Sequence, residues 1–308
     1  MKGRDWAAFW GLGLIWGSSF LWIKVAVQDV GPFALVGWRL LIGLVGLGVV
    51  LLVRRPRLPR DRRTLGLLAL LGITNTALPF VLISWGEQTI DSAVASILNG
   101  TVPLFAMILA HRVMAEERIT SWRVGGLVAG FLGVVVLMAG EVGPGGFRQG
   151  VLGQAAVLAA AVLYAWSAVF ARRNLHGIQP VVQAFLPLVA ADVFIWAGGL
   201  ALEPQRLIPT TGLALVWLGL LGSCTAYLLC FFLLHRVGPT RTAVVTYVFP
   251  VVGLVLGVVF LREPVDGRLL LGAALVVAGI LVVNGEATLR ALRRAPTVWV
   301  GAADVGGK

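Results

Sequence analysis

The polar side chains that interrupt the apolar runs of this 308-residue sequence are few, and their types suit holding a solute better than making or breaking bonds. Thr74, Asn75 and Thr76 precede Pro79, and Asn99 and Thr101 precede Pro103. Ser223, Thr225 and Tyr227 lie together, and Thr246 and Tyr247 precede Pro250. A proline inside a helix frees backbone carbonyls, and the half-helix ends then offer partial charges to a polar solute. Pro187 stands within another apolar run and is expected to break its helix in the same way. The alternative for these hydroxyls and amides is hydrogen bonding between neighbouring helices. Trp16, Tyr164 and Trp166 add rings with polar handles, suited to stacking on part of a solute, and Ser19 and Ser167 accompany them at corresponding places in the two halves. Trp6, Trp10 and Trp299 instead suit a membrane–water interface.

Three charged residues complete the candidates. Arg39 is seven residues into an apolar run and either binds a substrate carboxylate or serves structure by pairing with Asp29. Asp192 is the carboxylate nearest the middle of a run, which makes it a candidate for proton coupling; a neutral, hydrogen-bonded acid is the alternative. Glu87 closes its run and reads as a membrane-edge or gating residue.

Bond-breaking chemistry finds no support. His111, His176 and His235 stand singly, without the H-E-x-x-H spacing of a zinc site. Cys224 and Cys230 are six residues apart on one run, so neither a disulfide nor a metal pair is expected. No G-x-x-x-x-G-K-[ST] phosphate loop occurs, and the glycines of GLGLIWG (11–17) lie inside a span. The sequence therefore calls for no cofactor and no metal.

The elements that must position these residues follow from composition. Hydrophobic residues make up 58% and charged residues 13%, about half the charge of a soluble domain, and mean hydropathy is +0.92. Ten apolar runs lie near 6–27, 33–53, 65–85, 91–110, 121–140, 150–171, 181–202, 211–234, 241–261 and 267–285. Each meets the roughly 20 residues a helix needs to cross a bilayer. They are apolar all round, so barrel strands are excluded and an all-α integral membrane protein with ten transmembrane helices is expected. The first run is long, Trp-rich and without a small-residue cleavage site, so it reads as an uncleaved span.

The net charge of +11 is a matter of topology. Nineteen of the 25 basic residues fall in segments sharing a side with the N-terminus, six of them between Arg54 and Arg63. Under the positive-inside rule both termini are cytoplasmic, and no nucleic-acid partner is implied.

The halves repeat at a shift of about 148 residues. WGSSFLWIKVAVQDVGP (16–32) lines up with YAWSAVFARRNLHGIQP (164–180), Ser92-Ala93 with Thr242-Ala243, Pro103 with Pro250, and Glu117-Arg118-Ile119 with Glu263-Pro264-Val265. Five spans per half make the second half enter the membrane from the opposite side, an arrangement that places a substrate site between halves near the midplane. The G-x-x-x-G pairs Gly13/Gly17, Gly126/Gly130 and Gly253/Gly257 allow close helix approach, within a monomer or across a homodimer.

WGSSF (16–20), GPFALVGWRLL (31–41), ASILNGTVPLF (95–105), EERIT (116–120) and FPVVGLVLGVVFLREPV (249–265) resemble the drug/metabolite transporter superfamily, and most closely its ten-helix EamA-type branch. The similarity spans roughly 6–286. It implies a carrier in the cytoplasmic membrane that moves small metabolites, often as an exporter, by alternating access. The branch covers amino acids, other metabolites and drugs. Tyr164 replaces the family's Trp, and Pro264 stands where the first half has Arg118. The expected organisation is a first five-helix repeat over 1–145, an inverted second repeat over 146–290 and a cytoplasmic tail over 291–308. A small-molecule substrate and the lipid bilayer are its partners. A polytopic membrane enzyme acting on a lipid or isoprenoid is the competing reading.

Overall fold

The computed structural model describes residues 3–113, 120–140, 142–143, 146–147, 149–175, 177–198, 203, 208–238, 242 and 244–293. Glu117, Arg118, His176, Trp299 and the tail from 294 lie outside the described residues. Nine described helices are long and apolar enough to cross a membrane: α1 (Gly3–Ala26), α2 (Pro32–Arg54), α3 (Arg62–Gly86), α4 (Ser92–Val113), α5 (Ser121–Ala139), α6 (Gly150–Asn174), α7 (Pro180–Gly198), α8 (Pro209–Leu234) and α9 (Val244–Leu261). The tenth, α10 (Gly267–Arg293), carries a shorter apolar stretch, Gly267–Val283. The protein is a multi-pass membrane protein whose described spans are all helical. A two-residue antiparallel strand pair, Val142–Gly143 with Gly146–Phe147, lies between α5 and α6.

Successive spans cross the bilayer in opposite directions. Odd-numbered helices run from the end bearing the N-terminus, the terminal end, towards the opposite, distal end. The second half starts with α6 running the other way, so the two five-helix repeats are inverted. Packing obeys the exchange of α1–α5 with α6–α10. α2 packs on α7, α4 on α9 and α5 on α10, and each of these pairs maps onto itself. α1 against α9 has its counterpart in α6 against α4, and α1 against α8 in α6 against α3.

Small residues set the closest approaches. A Cβ on Gly126 would lie 2.8 Å from the Gly279 carbonyl, so α5 and α10 meet backbone to backbone. A Cβ on Gly72 would collide with the Pro187 carbonyl, which presses α3 against α7. Gly13 and Gly17 face Val248 and Val252 of α9, and Gly253 faces Ser96. The G-x-x-x-G pairs therefore build the interior of one chain. Exposed apolar stripes at Val45, Val49 and Leu52 and at Val128, Leu132 and Val135 recur at helical spacing, as lipid-facing surfaces do.

Corresponding helices depart from α geometry at corresponding places. α3 widens into a π-helical turn at Ile73–Ala77 before Pro79, and α8 does so at Trp217–Thr225. α4 is interrupted between Asn99 and Val102, just before Pro103, and α9 opens with a 3₁₀ segment, Val244–Tyr247, before Pro250. No proline lies in the wide turn of α8. There, Ser223 and Thr225 hydroxyls donate to carbonyls five residues back, Leu218 O at 3.2 Å and Leu220 O at 3.0 Å. The expectation for Pro187 is corrected: α7 continues as one helix through it, because packing on α2 and α3 holds the helix on both sides.

Candidate functional site

A cavity of about 280 Å³ lies between the halves. The first half lines it with Trp16, Ser19, Phe20 and Ile23 of α1, Arg39 of α2, Asn75, Phe80 and Ile83 of α3, and Asn99 and Val102 of α4. The second half adds Tyr164 of α6, Tyr227 of α8 and Thr246 and Phe249 of α9. Four of these helices are the irregular ones, so the broken segments and the cavity coincide. Irregular backbone is tolerated at membrane depth where it lines a cavity or is buried in protein.

Trp16 is the hub of the aromatic wall. Its indole N–H donates to Gly222 O at 3.0 Å, inside the π-helical turn of α8. Tyr227 and Phe249 each meet its ring edge-on, with centroids 5.9 Å apart. The Ser19 hydroxyl donates to Ile15 O at 3.1 Å on its own helix, keeping its lone pairs for a guest.

Among the described residues, Arg39 is the one charged side chain lining the cavity. It is 3% exposed. Its Nε donates to Ser223 Oγ at 3.1 Å, and its guanidinium carbon lies 3.8 Å from the centre of the Phe80 ring. The suggested pairing with Asp29 does not form, because Asp29 accepts a hydrogen bond from the Thr211 hydroxyl. A guanidinium held between a ring and a hydroxyl, with no carboxylate among the described residues in contact, keeps most of its five donors for an anion.

Of the residues singled out from sequence, Trp16, Ser19, Arg39, Asn75, Asn99, Tyr164, Tyr227 and Thr246 come together around this cavity. The others do not. Trp166 stacks on Phe170 and is 36% exposed, because it projects from the outer face of α6. Tyr247 turns towards α10, where its hydroxyl donates to Ile280 O at 3.4 Å. Asp192 accepts from the Trp196 indole N–H at 2.9 Å, one turn along its own helix and off the cavity. Pro187 is not among the lining residues, whereas Pro79, Pro103 and Pro250 each adjoin one in sequence. Glu87 is fully buried at the distal end, beyond Ile83. Phe80, the platform under Arg39, was not singled out in the sequence. An arginine within a span needs an aromatic or polar support, but spacing alone does not say which residue supplies it.

Two inverted five-helix halves enclosing one aromatic, polar-studded cavity define a membrane carrier for small molecules. The chain belongs to the EamA-like transporter family, whose profile matches residues 6–139 and 151–285, one match per half. It is 30% identical over 306 residues to a "Probable terminal-alkyne amino-acid exporter" of Streptantibioticus cattleyicolor, covering 94% of this chain and 97% of that protein. It is 29% identical over 286 residues to a "Probable amino-acid metabolite efflux pump" of Salmonella typhimurium, covering 87% and 91%. An "Uncharacterized inner membrane transporter YedA" of Escherichia coli is 28% identical over 253 residues, covering 81% and 80%. A solved crystal structure shares the fold, with a TM-score of 0.67 at 24% identity over 95% of this chain and 99% of that one. The protein is thus a transporter of small metabolites embedded in the lipid bilayer, and not an enzyme.

Proposed function

We propose that this protein exports amino acids or closely related carboxylates across the cytoplasmic membrane, with both termini in the cytoplasm. The carrying observation is Arg39: buried, charged and facing an otherwise neutral cavity, with no carboxylate partner among the described residues. A substrate carboxylate would take the free edge of the guanidinium. Asn75, Asn99 and Thr246 offer polar atoms to an amino or hydroxyl group, and the rings of Trp16, Tyr227 and Phe249 offer a surface to an apolar side chain or an ammonium. Orientation rests on the basic segments that share the terminal end, and direction on the names of the two amino-acid exporters to which the chain is similar. Residues 1–145 and 146–290 form the two repeats, 291–308 the tail, and rocking of one repeat against the other gives alternating access.

Reconstituted protein decides the matter. Proteoliposomes loaded with unlabelled amino acid should accumulate the labelled one by counterflow, and Arg39→Gln should not. Equal uptake by Arg39→Gln, or counterflow only with cationic drugs that lack a carboxylate, defeats the reading.

A further inference from the structure

We infer that Glu263 is the distal gate latch of this carrier: its carboxylate, from the second half, caps the N-terminus of α4 in the first half and must let go for the cavity to open at the distal end. The inference rests on the transporter reading but not on any particular substrate.

The first backbone N–H groups of a helix have no partner within it. At the start of α4, Ser92 N and Ala93 N donate to the two oxygens of Glu263, at 2.7 and 3.0 Å. The local N-cap, Asp91, is a favoured capping type, yet its side chain makes no cap hydrogen bond. The cap is instead supplied from the segment after α9, about 170 residues away. Gly257 makes room for it, since a Cβ there would collide with the Glu263 carboxylate. α2 is built alike. Its N-cap is Gly31, which has no side chain, and Ala34 N donates to Glu203 of the second half at 3.0 Å. Both helices then carry a cavity residue inward, Asn99 on α4 and Arg39 on α2.

The end that these caps close is buried. Glu263 is 8% exposed, Glu87 is fully buried with neither carboxylate oxygen hydrogen-bonded to a described residue, and the Ser92 hydroxyl is buried with no hydrogen-bond partner among the described residues. Lys24 Nζ donates to the carbonyls of Glu87 and Ile90, at 2.7 and 2.8 Å, and so ties α1 to the end of α3. Phe20 and Lys24, and Phe80, Ile83 and Glu87, stand at helical spacing, so this polar layer follows directly on the distal wall of the cavity. In so buried an end, undocking Glu263 would strand a carboxylate and two amides. Once water enters, both sides are solvated and the contact is weak. Such a latch is either shut and dry or open and wet, the two-state behaviour that alternating access needs.

The test reads accessibility and needs no substrate. Cys224→Ala, Cys230→Ala and Ile83→Cys together leave one thiol on the distal wall of the cavity. A membrane-impermeant methanethiosulfonate is applied from the distal side of oriented vesicles. Adding Glu263→Gln turns an amide NH2 towards a backbone N–H, and the labelling rate should rise about tenfold as the population shifts towards the open end. A rate within about twofold of the parent, in a variant that unfolds at the parent temperature, overturns the latch. If Glu263→Gln does not fold, Gly257→Ala decides, since a Cβ there would collide with the Glu263 carboxylate and displace it. The labelling rate of the thiol introduced by Ile83→Cys should again rise about tenfold, and a rate within about twofold of the parent overturns the proposal. Absence of counterflow in the parent would remove the proposed substrate and leave the labelling result standing.

Discussion

Arg39 and Ser223, 184 residues apart and one from each half, are joined by a 3.1 Å hydrogen bond from Nε to Oγ. The bond ties the one charged group of the described cavity wall to the wide turn of α8. It also leaves the outer guanidinium nitrogens to a guest.

Removing that charge should weaken substrate binding more than it weakens the fold. Truncating one partner of a desolvated charge pair costs about 2–5 kcal/mol, so Arg39→Gln should raise the apparent KM for a carboxylate substrate by about 30-fold or more. Arg39→Lys keeps the charge but loses the planar fork over Phe80 and should fall between the two. Flux against substrate concentration in proteoliposomes checks both; a KM unchanged in Arg39→Gln removes Arg39 from recognition.

Trp16 and Ser223 grip the same turn of α8, one through Gly222 O and the other from within it. Trp16→Phe keeps most of the ring and loses one hydrogen bond, a loss of about 1 kcal/mol or roughly fivefold in apparent affinity. Combined with Ser223→Ala, the penalties should fall short of additivity by more than about 0.5 kcal/mol, because either change alone loosens the shared turn. Strict additivity would mean that the turn does not link them.

Span count, inversion and the aromatic hub were legible because each leaves a mark on the linear sequence. Apolar runs count helices, the paired Pro103 and Pro250 align the halves, and Trp16 and Tyr164 mark corresponding depths. What was not legible depends on rotation about a helix axis. Trp166 and Ser167 are neighbours in sequence, yet one faces outward while the other donates to Thr74 Oγ1 at 3.0 Å. Tyr247 lies between cavity-lining Thr246 and Phe249 and still points at α10. The long-range cap was hidden for another reason. Glu263 was visible only as a repeat marker, since pattern reading assigns helix caps to local residues such as Asp91.

The α5–α10 contact predicts a large difference between two nearby glycines. A side chain on Gly279 would meet the Gly126 carbonyl and the Gly130 backbone, whereas one on Gly125 meets nothing within 4 Å. Gly279→Leu should destabilise the protein by about 1–3 kcal/mol or prevent its recovery, and Gly125→Leu should be neutral. Thermal unfolding in detergent measures this. A Gly279→Leu protein of unchanged stability but altered oligomeric mass would show that these glycines pair chains instead of helices within one.

Asp192 is held by Trp196 and lies off the cavity. Asp192→Asn keeps an oxygen that accepts from the indole N–H, so flux and its pH profile should stay within about twofold of the parent. Loss of pH-dependent flux in this variant would restore Asp192 as a proton carrier.

Asp61, in the exposed connection before α3, accepts from Thr64 N at 2.7 Å and is the N-cap of that helix. The Thr64 backbone and side-chain hydrogen bonds hold its carboxyl below the usual carboxylate range. A carboxyl whose pKa is lower in the folded state contributes stability above its unfolded pKa, about 3.9, and loses it as pH falls through the folded value. Asp61→Ala should therefore unfold at a slightly lower temperature than the parent near pH 7, and the gap should close in the acid range below about 3.9. Asp61→Asn, whose amide oxygen caps without a charge, should track the parent near neutrality and show no such acid-dependent loss. Equal unfolding temperatures for the parent and Asp61→Ala at neutral pH would show that the exposed cap contributes nothing measurable to anchoring α3.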